Sequence, residues 1–188
     1  MLSRPAPETI SKSSQKPLKE LLLLRHAKSD WGDEGMDDFD RPLAKRGQRA
    51  APAMGAWLAQ QGWRPDLVLC SAAARTRETW ALIAASFERQ PPVRFERRLY
   101  LASAEALARR DARVDPRVTR LMLIGHNPGI ESYAAMLAPA RGAPSVRLRT
   151  KFPTAAAAWF ALDGEWRDTA RGPARLLAYV TPADLGEA

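Results

Sequence analysis

Cysteine and histidine are nearly missing from this chain: Cys70, His26 and His126 are their only occurrences in 188 residues. A lone cysteine closes no internal disulfide. One thiolate and two imidazoles fall short of the four ligands of a structural zinc cage. Cys70 sits inside the apolar run Leu67-Val68-Leu69-Cys70-Ser71, so a buried thiol is expected rather than a reactive one. Long hydrophobic runs are missing too. None approaches the roughly 20 residues that span a bilayer, and residues 1–20 lack the apolar stretch of a secretory signal. These absences point to the cytoplasm, with no membrane partner expected. Finally, no dense basic block occurs, although the formal net charge is +8. A positive field draws anions of every kind. With the arginines scattered, a diffuse solvated surface is the expectation, rather than a stripe for nucleic acid.

The chain alternates short apolar runs with segments of helical period. Residues 1–19, rich in Ser, Pro and Lys, are expected to be a mobile tail. Residues 20–182 are expected to form one domain and 183–188 a C-terminal tail. Strands are expected at Leu21–Arg25, Leu67–Ser71 and Leu121–Gly125, with a short edge strand at Val93–Phe95. Two more strand-like runs, Ala155–Leu162 and Arg175–Val180, close the chain. Between them, Gly47, Ala50, Met54, Trp57 and Leu58 mark one helix face, which Pro52 should kink or restart and Gly62 should end. Trp80, Ile83, Ala84 and Phe87 mark a second face, and Ile130, Tyr133, Ala134 and Leu137 another. Ser103 is a cap candidate for a helix through Leu107, and Asn127 with Pro128 for the helix after the third strand. The pattern predicts an α/β fold of three layers, a mostly parallel central sheet flanked by helices.

Each histidine ends an apolar run, and Arg75 follows closely on a third. Ligands of open α/β sheets bind beyond the carboxyl ends of the strands. If the three runs are parallel neighbours, Arg25, His26, Arg75 and His126 converge on one pocket. A neutral imidazole attacks phosphorus well near neutral pH. Guanidiniums nearby disfavour its protonation and grip phosphoryl oxygens with paired hydrogen bonds. With four such groups, no metal or cofactor is required for phosphoryl transfer. Taken singly, a histidine at a strand end is commonly structural and an arginine at a helix start commonly solvated. Their equivalent positions are what argue for a site. The acidic loop, with Asp33, Glu34, Asp37, Asp38 and Asp40, lacks the glycine and terminal glutamate of an EF-hand and reads as solvated, Asp40 pairing with Arg41 or a nearby base. Trp31 is either a loop anchor or a border of the pocket.

The block Leu24-Arg25-His26-Ala27-Lys28-Ser29-Asp30-Trp31 resembles the signature of the histidine phosphatase superfamily, the phosphoglycerate-mutase-like fold, and within it the SixA-type phosphohistidine phosphatase branch. The likeness continues through Asp38-Phe39-Asp40-Arg41-Pro42-Leu43, Arg46-Gly47, Ser71 to Thr79, and Gly125-His126-Asn127-Pro128-Gly129-Ile130-Glu131. It returns more weakly at Phe152-Pro153-Thr154. The resemblance implies His26 as a nucleophile that becomes a transient phosphohistidine, with Arg25, Arg75 and His126 completing a phosphate pocket. Lys28, Ser71 and Asn127 are further candidates to line it. The implied partner is a phosphate-bearing substrate, a phosphohistidine protein or a small activated phosphate compound.

Two departures stand out. Ala27 occupies a position where many members carry glycine, and Ser71-Ala72-Ala73 replaces a commoner serine-proline start. Ester-cleaving relatives also carry an acid that protonates the leaving oxygen. Here residues 97–111 offer only Glu105, the candidate general acid, and Asp111. A site with a weak acid favours phosphoramidates. A phosphoglycerate-type mutase is the alternative enzyme, though the insertions it expects are missing. A non-catalytic anion- or nucleic-acid-binding module is the alternative outside enzymes.

Overall fold

Leu21 to Leu24 are four leucines in a row, and all four are fully buried. Successive side chains of a strand point to opposite faces, so such a run needs cover on both sides. In the computed structural model, which describes residues 18–32, 35–171 and 173–187, it has that cover. Leu21 and Leu23 face a core shared with Leu107, Tyr133 and Leu148; Leu22 and Leu24 face one shared with Met54, Leu58 and Ile83. The helices behind the second core are α1 (Lys45–Gln60) and α2 (Ala74–Ala84). Those behind the first are α3 (Ala104–Asp111), α4 (Gly129–Leu137) and α5 (Ala143–Thr150).

The layer between is a six-stranded sheet of β1 (Lys19–Arg25), β2 (Leu67–Ser71), β3 (Val93–Glu96), β4 (Arg120–Gly125), β5 (Ala157–Leu162) and β6 (Arg175–Val180). Its order is β3-β2-β4-β1-β5-β6, with β3, β2, β4 and β1 parallel and β5 antiparallel to both its neighbours. This is the expected three-layer α/β fold. The β1–β4 register pairs Leu21 with Leu121 and Arg25 with Gly125. His26 and His126 therefore leave neighbouring strands at the same level. The β2–β4 register pairs Cys70 with Ile124, which brings Ser71 to that rim as well.

Several boundaries differ from the sequence expectation. Lys19, assigned to the tail, begins β1; its ammonium donates to the carbonyls of Val118 (2.7 Å) and Pro116 and is buried. Of the rest of that tail, Leu18 is exposed and residues 1–17 lie outside the described residues. At the other end, residues 183–185 belong to a 3₁₀ turn, Pro182–Leu185, closed by a Thr181–Asp184 capping box and packed against the α1 side of the core. Helix α1 runs through Pro52 as one element. The lost hydrogen bond and steric clash, worth about 3 kcal/mol, are offset by a buried face from Gly47 to Leu58. Asn127 does not cap α4; the N-cap position is Pro128, because the Asn127 amide is drawn to the Phe152 carbonyl at 3.0 Å. Helix α5 gave no periodic signal, since only Ser145 and Leu148 of it are buried.

Candidate active site

The rim over β1, β4 and β2 gathers the two imidazoles. His26 and His126 have ring centroids 5.0 Å apart. His26 is 7% exposed and His126 2%. The His26 backbone is pinned by its N–H to Gly125 (3.0 Å), and the next N–H, of Ala27, donates to Thr79 Oγ1 at 3.0 Å. Its Nδ1 lies 2.8 Å from the Ala27 carbonyl. A carbonyl only accepts, so Nδ1 carries the proton and Nε2 keeps its lone pair. Arg75, in the first turn of α2, donates from Nε to that Nε2 at 3.4 Å. His126 Nε2 meets Ser71 Oγ at 2.8 Å, and its Nδ1 is buried without a partner among the described residues. Arg25 anchors one nitrogen to the Phe152 carbonyl at 2.9 Å, while its buried Nε likewise has no partner among them.

Burial, helped by the Arg75 and Arg25 charges, pushes the His26 imidazole down to about 3. Burial and the neighbouring His26 do the same to His126, also to about 3. Both rings are neutral at pH 7. The fold thus supplies an unprotonated nitrogen base next to fixed positive charge, which suits attack on an electron-poor centre carrying anionic oxygens. Cys70 lies buried beneath, and burial raises its thiol well above the usual range, so it stays protonated.

Of the further candidates, Ser71 is in the cluster through His126. Asn127 reaches it indirectly, sharing the Phe152 carbonyl with Arg25. Lys28 is exposed two residues past His26, lining a neighbouring cavity. Glu105 stands apart: it is solvent-exposed in the first turn of α3, and Ser103 holds its carboxyl below the ordinary range. Asp111 is buried in the core, bonded to Tyr133 at 2.9 Å.

The acid that does meet the cluster is Asp38, which sequence reasoning left in a solvated loop. Its Oδ2 accepts from Arg75 Nη2 at 2.9 Å and from the Tyr100 hydroxyl at 2.5 Å; its backbone carbonyl takes Arg75 Nη1. Its Oδ1 accepts from Arg41 at 2.7 Å, so Arg41 pairs with Asp38 rather than Asp40. Tyr100, Arg75 and Arg41 together hold the Asp38 carboxyl at about 2, firmly ionised. The Tyr100 ring stands edge-on to His126 at 5.3 Å. Trp31 is 71% exposed and stacks on the Arg41 guanidinium at 3.3 Å, as a loop anchor would. Asp38 and Tyr100 left no signal in period or spacing. Only the Asp38-to-Leu43 block, already part of the resemblance, could have drawn attention to the first.

One steric detail fixes the frame. A Cβ at Gly47 would collide with the Lys28 carbonyl oxygen, which accepts from the Ala44 N–H at 2.9 Å. Helix α1 is therefore seated directly on the loop that carries His26.

Comparison with known proteins identifies relatives of the chain. The profile of the histidine phosphatase superfamily (branch 1) matches residues 21–115. The uncharacterized protein Rv1276c of Mycobacterium tuberculosis (strain ATCC 25618 / H37Rv) is 38% identical over 162 residues, 85% of this chain and 99% of that protein. Two solved structures, each named provisionally as phosphohistidine phosphatase SixA, are 30% identical to this chain. The one from Nakamurella multipartitia has a TM-score of 0.76 over 88% of this chain and 96% of its own. The one from Agrobacterium tumefaciens has a TM-score of 0.74 over 87% and 98%.

Proposed function

The chain belongs to the histidine phosphatase superfamily, branch 1, and from that premise we propose that it is a metal-independent phosphohydrolase with His26 as nucleophile, acting on phosphohistidine or a small activated phosphate compound. The observation that carries this is the state of one ring: Nδ1 is tied to the Ala27 carbonyl, leaving a neutral Nε2 facing Arg75. In the first step the Nε2 lone pair bonds to phosphorus. The bond from phosphorus to the leaving nitrogen or oxygen breaks, and its electron pair departs with that atom. Arg75, Arg25 and His126 take the charge on the phosphoryl oxygens. Water then bonds to phosphorus, the P–Nε2 pair returns to the ring, and the water proton leaves with phosphate or solvent. The paired guanidiniums repel a divalent cation and stand in for its charge.

Asp38 is the acid nearest this chemistry, and it is ionised. A leaving group that departs readily is therefore favoured, which selects phosphoramidates such as phosphohistidine over alkyl esters. The names of the two SixA neighbours support the same substrate class. The test is a panel of phosphohistidine peptide, phosphoramidate, aryl phosphate and sugar phosphate with EDTA present, run beside His26→Ala. Turnover of the phosphoramidates and an acid-labile phosphoenzyme are expected from the native chain, and neither from the variant. Near-native turnover by His26→Ala removes His26 as nucleophile.

A further inference from the structure

Beside the phosphate cradle lies a cavity of about 440 Å³ that the chemistry above leaves unused. Four cationic side chains line it: Lys28 after β1, Arg46 on α1, Arg147 on α5 and Lys151 just past α5. Arg147 is engaged by Asp184 at 2.9 Å. Lys28, Arg46 and Lys151 have no carboxylate partner among the described residues, and all three are exposed. Like charges converging on a concave wall repel one another and focus a positive field into the hollow. The Thr154 hydroxyl adds a neutral donor.

The cavity and the cradle share a wall. The Phe152 carbonyl accepts from Arg25 and from Asn127, while Lys151, Pro153 and Thr154 on either side of it line the cavity. Lys28, its Cα at most about 7 Å from that of His26, lines the cavity as well, so the cavity and the cradle adjoin along the chain at two points. The volume is in the range of small-ligand sites, roughly 300–1,000 Å³.

Building on the activity proposed above, we infer that this cavity is a second anion subsite, which receives a phosphate or carboxylate carried by the same small substrate whose phosphoryl group sits at His26. The substrate class is thus a metabolite-sized molecule with two anionic groups, the first transferred and the second held by Arg46, Lys151 and Lys28.

Binding rather than turnover tests it, so failure of the proposed activity stays distinguishable. Calorimetry compares butane, hexane and octane bisphosphonates with the monophosphonate of equal length, on the native chain and on Arg46→Ala/Lys151→Ala. At one chain length the second phosphonate is expected to tighten binding about tenfold, the worth of one charge-assisted contact. In the double variant that gain should vanish, and added salt should erode it in the native chain. Both substituted side chains are exposed, so a folded variant is expected, checked by its melting curve. The subsite is overturned by equal affinity of bisphosphonate and monophosphonate at every length, or by a gain that survives the double variant. It is overturned equally if only a glutamate-rich peptide binds through Arg46 and Lys151, since the cavity would then belong to a protein partner. Absence of turnover on any phosphoramidate sinks the proposed activity but leaves these binding ratios standing.

Discussion

Around His26 and His126 the fold buries bases and sets guanidiniums beside them; between α3 and α4 it buries an acid, Asp111, among apolar side chains. Both places shift acidity strongly. The imidazoles fall to about 3, while burial lifts the Asp111 carboxyl to about 7. Each shift favours the neutral form: the imidazoles are uncharged at pH 7, and the Asp111 carboxyl is protonated below about pH 7. What separates them is the company. Asp111 has Tyr133 as its hydrogen-bond partner at 2.9 Å and sits in the packed core. The His26 lone pair meets only the Arg75 Nε, at 3.4 Å, and Arg25 nearby keeps a buried N–H without a partner among the described residues. A perturbed group marks a site only when unspent donors stand around it.

Four experiments press on that contrast. Arg75→Ala should lower kcat/KM by about 10²–10³, the usual loss for a donor to developing anionic charge; an unchanged value would mean that the start of α2 does not reach the phosphoryl group. Asp111→Asn should instead act on stability alone. A carboxyl raised from 3.8 to about 7 is protonated in the folded chain while the unfolded chain ionises, so its stabilisation is complete below pH 3.8 and drains away as pH rises to 7. The asparagine variant should therefore match the native chain near pH 4 and exceed it by a few kcal/mol at pH 8; a difference independent of pH in chemical denaturation would refute the neutral acid. Asp38→Asn is a smaller step. It removes the carboxylate that competes with phosphate for Arg75, and inorganic phosphate should bind roughly threefold tighter, in line with a half-exposed ion pair. Weaker binding would recast Asp38 as the support that holds Arg75 in place.

The last prediction is a flat line. Proton NMR of the two imidazoles should show no titration between pH 5 and 8. The sign for stability is opposite to that of Asp111. Rings lowered from 6.5 to about 3 stabilise fully above pH 6.5 and lose that contribution as pH falls towards 3. A midpoint near 6.5 for either ring would place it in contact with water.

The rim was readable from sequence because its logic is periodic. Apolar runs ending in Arg25-His26, Ser71 and Gly125-His126 are strand ends, and parallel strands of similar length finish level. Asp38 and Tyr100 were not readable, since both reach the cluster from irregular segments where no period constrains direction. The candidate Glu105 rested on where ester-cleaving relatives carry their acid, which says nothing of facing in this chain, and the first turn of α3 points it to solvent. Helix α5 escaped notice because two buried positions do not make a stripe.

The absent side chain at Gly47 has a mechanical meaning. With helix α1 resting on the Lys28 carbonyl and no methyl group as a spacer, the strand end and the helix behave as one rigid strut. Thermal jitter of the His26 ring is thereby tied to the motion of a sixteen-residue helix rather than to that of a short loop. Any bulkier residue at that joint would transmit its misfit straight to His26, without touching any of the side chains proposed to hold phosphate.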